Sequence, residues 1–183
     1  MNVSVIKIGG NIIDNPAELE QFLTDFSKIE GYKVLVHGGG KSATKMAQSI
    51  GLVPQMIDGR RITDAPMLDV VVMIYAGQIN KHIVAQLQAK DNNAIGFSGA
   101  DGNLIQSTKR NHPTIDYGFV GDVKQVNTKL LATLLEAGVV PVFCAITHDK
   151  NGQLLNTNAD TIASELSIAL SEVFDVTLTY CFE

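Results

Sequence analysis

Apolar positions along the chain switch between two spacings. Residues 3–8, VSVIKI, form a short apolar run broken by Lys7, and residues 33–36 run straight into three glycines. Runs this short and continuous suit strands buried on both faces. Between them Leu19, Phe22, Leu23, Phe26 and Ile29 recur at helical spacing. Asn15 is the expected cap of that helix, Pro16 its first turn, Glu18 the residue reaching back, and Gly31 its stop. A helix is predicted over 41–50, followed by the Pro/Gly-punctuated section VPQMIDGRRIT. From Thr63 to about residue 90 a long helix is predicted, with Leu68, Val71, Val72, Tyr75, Ile79, Ile83 and Leu87 on one broad face. Residues 94–126 are glycine-rich, with short strand candidates AIGFSG, NLIQST and GFVGDV, and read as hairpins rather than a strand-helix unit. Alternation then resumes: helix 128–137, strand 139–144, polar turn HDKNG, helix 159–171 and strand 174–181. Such an order predicts an α/β fold with a parallel-rich sheet and helices on both faces.

Composition narrows the partners. The 183 residues are 45% hydrophobic and 18% charged, ordinary for a globular chain of one domain or slightly more. A formal charge of -5 argues against a general nucleic-acid or membrane-surface binder, so any anionic ligand must be attracted by local groups. Cys144 and Cys181 sit in strand-like runs and match no metal or redox spacing; buried free thiols are expected. No signal peptide and no run of the ~20 apolar residues that a membrane span needs is visible. The expected location is cytoplasmic.

The segment LVHGGGKS, residues 35–42, ends like a nucleotide-binding P-loop. The first glycine of that motif would fall at Leu35, so the strict pattern fails. Ligands of open α/β sheets nevertheless gather at the carboxyl ends of the strands. That rule selects Lys7-Ile8-Gly9-Gly10, His37-Gly38-Gly39-Gly40 and the helix start Asn156-Thr157-Asn158-Ala159-Asp160. Glycines there let several backbone N–H groups face one anionic oxygen, and a helix after Gly40 adds its positive end. Lys7 is either a snorkelling strand-end lysine or a fixed positive charge facing phosphate. Asp160 and Asn158 are equally readable as a dipole-favoured acid and a plain N-cap. Arg60 and Arg61 could be ordinary surface charges. The histidines at 37, 82, 112 and 148 form no helical metal pair, so no metal site is expected in the protein itself.

Five segments taken in order, KIGGN at 7–11, VHGGGK at 36–41, DGRRIT at 58–63, AGQINK at 76–81 and NTNAD at 156–160, resemble the amino-acid kinase family, most closely its branch acting on acetylglutamate. The resemblance implies a three-layer α/β/α sandwich with a mainly parallel central sheet, the carbamate kinase-like fold. It implies phosphorylation by ATP, with Mg2+, of the side-chain carboxylate of an N-acyl-L-glutamate in arginine biosynthesis. Carried over by position, Lys7 would stabilise the phosphoryl group in transit and Asp160 would orient Lys7. Gly9 and Gly10 would offer donors to phosphate, and Gly39 and Gly40 to phosphate or substrate. Arg61 would pair with the α-carboxylate, and Asn156 and Asn158 would contact the amino acid.

Within that family a second lysine and most nucleotide-binding segments follow the strand ending YCFE. Residues 1–170 are therefore expected to form an acylglutamate-binding and dimerisation lobe, and 171–183 the beginning of a truncated nucleotide-binding lobe. Such a chain should bind the amino acid far better than ATP and turn over poorly. Arginine-inhibited members carry an extra N-terminal helix, so an arginine-insensitive homodimer is expected, with helix 64–90 a candidate surface. The acyl group stays open between acetyl and succinyl. Kinases of the same fold acting on aspartate, glutamate, carbamate or UMP, and a non-catalytic amino-acid-binding module, are the alternatives.

Overall fold

The structure, a computed structural model, describes residues 2–57 and 59–181. Asp58 of the DGRRIT segment and Phe182 and Glu183 of the closing YCFE lie outside the described residues. The first half runs β1 (Asn2–Ile8), α1 (Gly10–Asp14), α2 (Pro16–Ser27), β2 (Tyr32–His37) and α3 (Gly40–Ser49). A small hairpin of β3 (Met56–Ile57) and β4 (Arg60–Arg61) follows, then α4 (Ala65–Val72) and α5 (Asn80–Gln88). The second half is β5 (Ala94–Phe97), β6 (Ile105–Lys109), β7 (Gly121–Val126), α6 (Thr128–Glu136), β8 (Val140–Cys144), β9 (Ile146–His148), β10 (Leu154–Asn156), α7 (Ala159–Leu170) and β11 (Asp175–Cys181).

Five strands, in the order β11-β1-β2-β8-β5, form a wholly parallel sheet. Val34, Leu35 and Val36 are consecutive and all fully buried, which requires cover on both faces. Helix α7 packs on β1, β2 and β11; α5 packs on β5 and β8 and against α2. The Asn15 cap is as the sequence indicates: its side-chain oxygen accepts from the N–H of Ala17 and Glu18, and Pro16 opens the helix.

Three expectations need correction. Residues 94–97 are not part of a hairpin; they follow α5 as the parallel edge strand β5. Gly96 hides that role, because it carries no side chain to show the strand period; a Cβ there would collide with the Asn80 carboxamide. Hairpin pairing does hold for β6 and β7. The turn HDKNG is the tip of a further hairpin, β9–β10, which joins β6 and β7 in a second sheet. Finally, the long helix is not uniform: Met73–Ile79, between α4 and α5, winds as a π-helix. Such wide turns are uncommon and shift side chains out of α-helical register. Here the shift leaves Tyr75 and Ile79 buried.

Candidate active site

The carboxyl ends of β1 and β2 lie side by side, with Ile8 opposite His37. Lys7 is one residue from that edge, its side chain 11% exposed, and its ammonium is 2.7 Å from Asp160 Oδ1. Asp160 is in the first turn of α7, where Asn158 caps the helix by accepting from the N–H of Asp160 and Thr161 at 2.8 and 3.0 Å. The cap fixes the backbone from which the carboxylate reaches Lys7. Tyr180 of β11 donates its hydroxyl to the Asp160 carbonyl, which holds the same turn from the other side.

The glycine turn after β2 is fixed from both flanks. Gly39 has φ of 151° and caps α3; a Cβ at this position would strike Ile79 and Tyr75 of the π-helical segment. Backbone strain and close approach together demand glycine here. Before the turn, the fully buried His37 is locked into one tautomer. Asn80 Nδ2 donates to the Val142 carbonyl at 2.9 Å, a group that can only accept, and to His37 Nε2 at 3.0 Å. Nε2 is therefore the acceptor, and Nδ1–H donates to the Gly38 carbonyl at 2.9 Å. Burial holds the imidazole neutral, with its pKa pushed down to about 4.

A cavity of about 220 Å³ opens beside this turn. It is lined by Gly39, Gly40, Arg61, Asn156 and Asn158, so five sequence-selected residues from three separate segments converge on it. Lys7, Gly9, Gly10 and Asp160 do not line it. The Lys7–Asp160 pair begins one residue past the lining residue Ala159. Gly9 N–H donates to the Cys181 carbonyl at 3.0 Å and prolongs the β1–β11 ladder. Gly10 opens α1, with nothing within 4 Å of its would-be Cβ.

Arg61 is 8% exposed and is not an ordinary surface charge. Its Nη2 donates to the Gly40 carbonyl at 2.9 Å and to Thr44 Oγ1 at 2.8 Å, which aims the guanidinium along the glycine turn. Asn156 donates from Nδ2 to Thr63 Oγ1 at 3.0 Å.

Two cavity residues escaped sequence reading. Sequence spacing puts Tyr75 on a helix face; the π-helical turn brings it to the cavity, where burial pushes its phenol pKa up beside Arg61. Arg110, just after β6, also lines the cavity, with Nε donating to Asp122 Oδ1 at 3.0 Å. No spacing marks it, because β6–β7 pairing alone places it there. With the charge of Arg110 offset by Asp122, Arg60 and Arg61 make this a cationic spot on a chain of net charge -5. It can hold a carboxylate-bearing molecule, with backbone donors at one end and a carboxamide at the other.

Comparison with known proteins agrees with this geometry. The pattern of the amino acid kinase family matches residues 2–172. The acetylglutamate kinase of Phocaeicola vulgatus is 58% identical over 181 residues, which are 99% of this chain and 70% of that protein. The solved structure of smu.665 from Streptococcus mutans superposes with a TM-score of 0.78 at 25% identity, over 92% of this chain and 69% of that one. An N-acetylglutamate synthase from Neisseria gonorrhoeae, solved with coenzyme A and N-acetyl-glutamate, gives 0.83 at 20% identity, over 97% and 41%. That last likeness is one of fold. With the family pattern spanning nearly all of its length and a kinase at 58% identity, the chain belongs to the amino acid kinase family, among its acetylglutamate kinases.

Proposed function

We propose that this chain carries the acyl-amino-acid side of an ATP-dependent carboxylate kinase of arginine biosynthesis. Its substrate is N-acetyl-L-glutamate or another N-acyl-glutamate, and its products are the acyl phosphate and ADP. The carrying observation is the convergence of Arg61, the Gly39–Gly40 turn, Asn156 and Asn158 on one cavity, with the Lys7–Asp160 pair at its margin.

The difficulty of the reaction is electrostatic. A side-chain carboxylate, already ionised at neutral pH, must approach a triphosphate. No base is required. One carboxylate oxygen forms a bond to the γ-phosphorus, the bond from that phosphorus to the bridging β–γ oxygen breaks, and ADP leaves with the electron pair. Positioning and positive charge supply the catalysis. Arg61 holds the α-carboxylate, the paired asparagines hold the amino acid, and the Lys7 ammonium faces the phosphoryl oxygens. Donors at Gly10, Gly39 and Gly40 face the same oxygens. Mg2+ bound with the nucleotide would neutralise phosphate charge. Among the described residues no cluster of three acidic, histidine or cysteine side chains would hold it without the triphosphate.

We place the division of the chain at residue 170, with 1–170 as the acylglutamate-binding and dimerisation lobe and 171–183 opening the nucleotide-binding lobe. The outer position of β11, next to β1 and Lys7, is consistent with that division. A homodimer using the 64–90 helix is supported by the exposure of Met73 upon it. A cytoplasmic location is in keeping with two free cysteines; among the described residues no helix is long and apolar enough to cross a membrane.

Thermal-shift and calorimetric titration with N-acetyl-L-glutamate, aspartate, glutamate, carbamate and UMP tests the substrate class. The acylglutamate should raise Tm and release or absorb measurable heat. A response to aspartate alone would overturn the assignment.

A further inference from the structure

Asn156 reaches the cavity with one end of its carboxamide already committed. Thr63, from the last position of the DGRRIT segment, is fully buried. Its one hydroxyl hydrogen faces the Arg61 carbonyl at 3.3 Å, so the oxygen lone pairs accept from Asn156 Nδ2 at 3.0 Å. A carboxamide has one donor end and one acceptor end. With Nδ2 directed at Thr63, Oδ1 is the end left for a ligand, and among the described residues it has no hydrogen-bond partner. Thr63 is itself held firmly. Its N–H donates to the Tyr117 carbonyl at 3.0 Å, and its carbonyl accepts from Phe119 N–H at 2.6 Å. Phe119 in turn accepts from Asn156 N–H at 2.9 Å. Three chain segments thus fix the distance between Thr63 and Asn156.

We propose that Thr63 is a positioning residue that presents Asn156 Oδ1 as an acceptor for the amide N–H of the N-acylated substrate. The inference rests on the reading above, in which Asn156 contacts the acylglutamate. An acceptor in that place favours a substrate carrying N–H and opposes one carrying oxygen there, because two sets of lone pairs would face each other with no hydrogen between them. Arg61 would hold the α-carboxylate of both compounds alike. Discrimination at the acyl linkage therefore belongs to the Thr63–Asn156 pair.

The test compares N-acetyl-L-glutamate with its ester analogue, 2-acetoxyglutarate, in which oxygen replaces the amide N–H. Calorimetric titration of the 183-residue chain should show the amide bound at least about tenfold more tightly. Thr63→Val keeps the shape and removes the hydroxyl; the ratio should fall to within about threefold of unity, while Thr63→Ser should retain it. Circular dichroism and Tm report whether each variant is folded. An unchanged ratio in folded Thr63→Val overturns the positioning role. A ratio near unity in the unaltered chain overturns it even if the valine variant does not fold. Failure of the unaltered chain to bind either compound would remove the acylglutamate reading, and this inference with it.

Discussion

Two lysines occupy neighbouring strands of one parallel sheet, and their surroundings differ in kind. Lys33 lies near the start of β2 and is 7% exposed. Its ammonium donates to the carbonyls of Phe26, Ser27 and Ile29 at 3.1, 2.8 and 3.0 Å, at and just past the end of α2. It is a helix cap made from the strand that follows. Lys7 lies near the end of β1 and faces a carboxylate on α7 rather than carbonyls. One lysine closes a structural account; the other carries charge at the edge where ligands gather. A lysine in an apolar strand is thus not a functional signal until the end of the sheet to which it points is known.

Substitutions can break this contrast. The largest effect is expected for Lys7→Met. In a preparation that turns over, ADP release should fall about 10³-fold, since a preorganised positive group at the transferred phosphoryl is lost. Stability should fall by only about 1 kcal/mol, because the Asp160 side chain is 46% exposed although its Oδ1, the atom facing Lys7, is buried. Undiminished transfer would sink the assignment.

Next is the acid response of the ligand edge. The His37 pKa is about 4 in the folded chain, against an ordinary 6.5. Between those values the unfolded chain binds the proton and the folded chain does not. Stability is therefore fully present above about pH 6.5 and declines as pH falls toward 4, by about 3 kcal/mol in all. Urea unfolding across that window should show the slope, and His37→Gln should flatten it. A flat profile for the unaltered chain would show that the imidazole is not held neutral.

The smallest effect is expected for Lys33→Met. Loss of the charge-assisted bonds to three carbonyls should cost about 2 kcal/mol of stability by denaturant titration. Acylglutamate binding should be unchanged. If binding weakens as much as it does in a cavity variant, the separation of the two ends fails.

Regular elements were legible because their cause is local. The α2 cap at Asn15 and Pro16, the buried runs of β1 and β2, and the α7 start at Asn158 each follow from a few adjacent residues. The strand-end rule likewise selects Lys7, both glycine clusters and the 156–160 segment from sequence alone, and of these the 39–40 turn and residues 156–159 line the cavity. Less legible was everything set by partners distant in the chain. Gly96 reads as loop until β8 pairs with β5, and the π-helical turn that carries Tyr75 to Gly39 has no local signature. Arg110 resembles any post-strand arginine until β7 brings Asp122 beside it.

Sequence by itself determined the alternation of elements, the family resemblance and the residues bearing charge at the strand ends. Only tertiary structure decided how those groups are held: Arg61 against Gly40 and Thr44, His37 in one tautomer, Asn156 oriented by Thr63. The physical reason is that helix and strand periods arise from neighbouring residues, whereas the orientation of a buried polar group is fixed by donors and acceptors contributed from far along the chain.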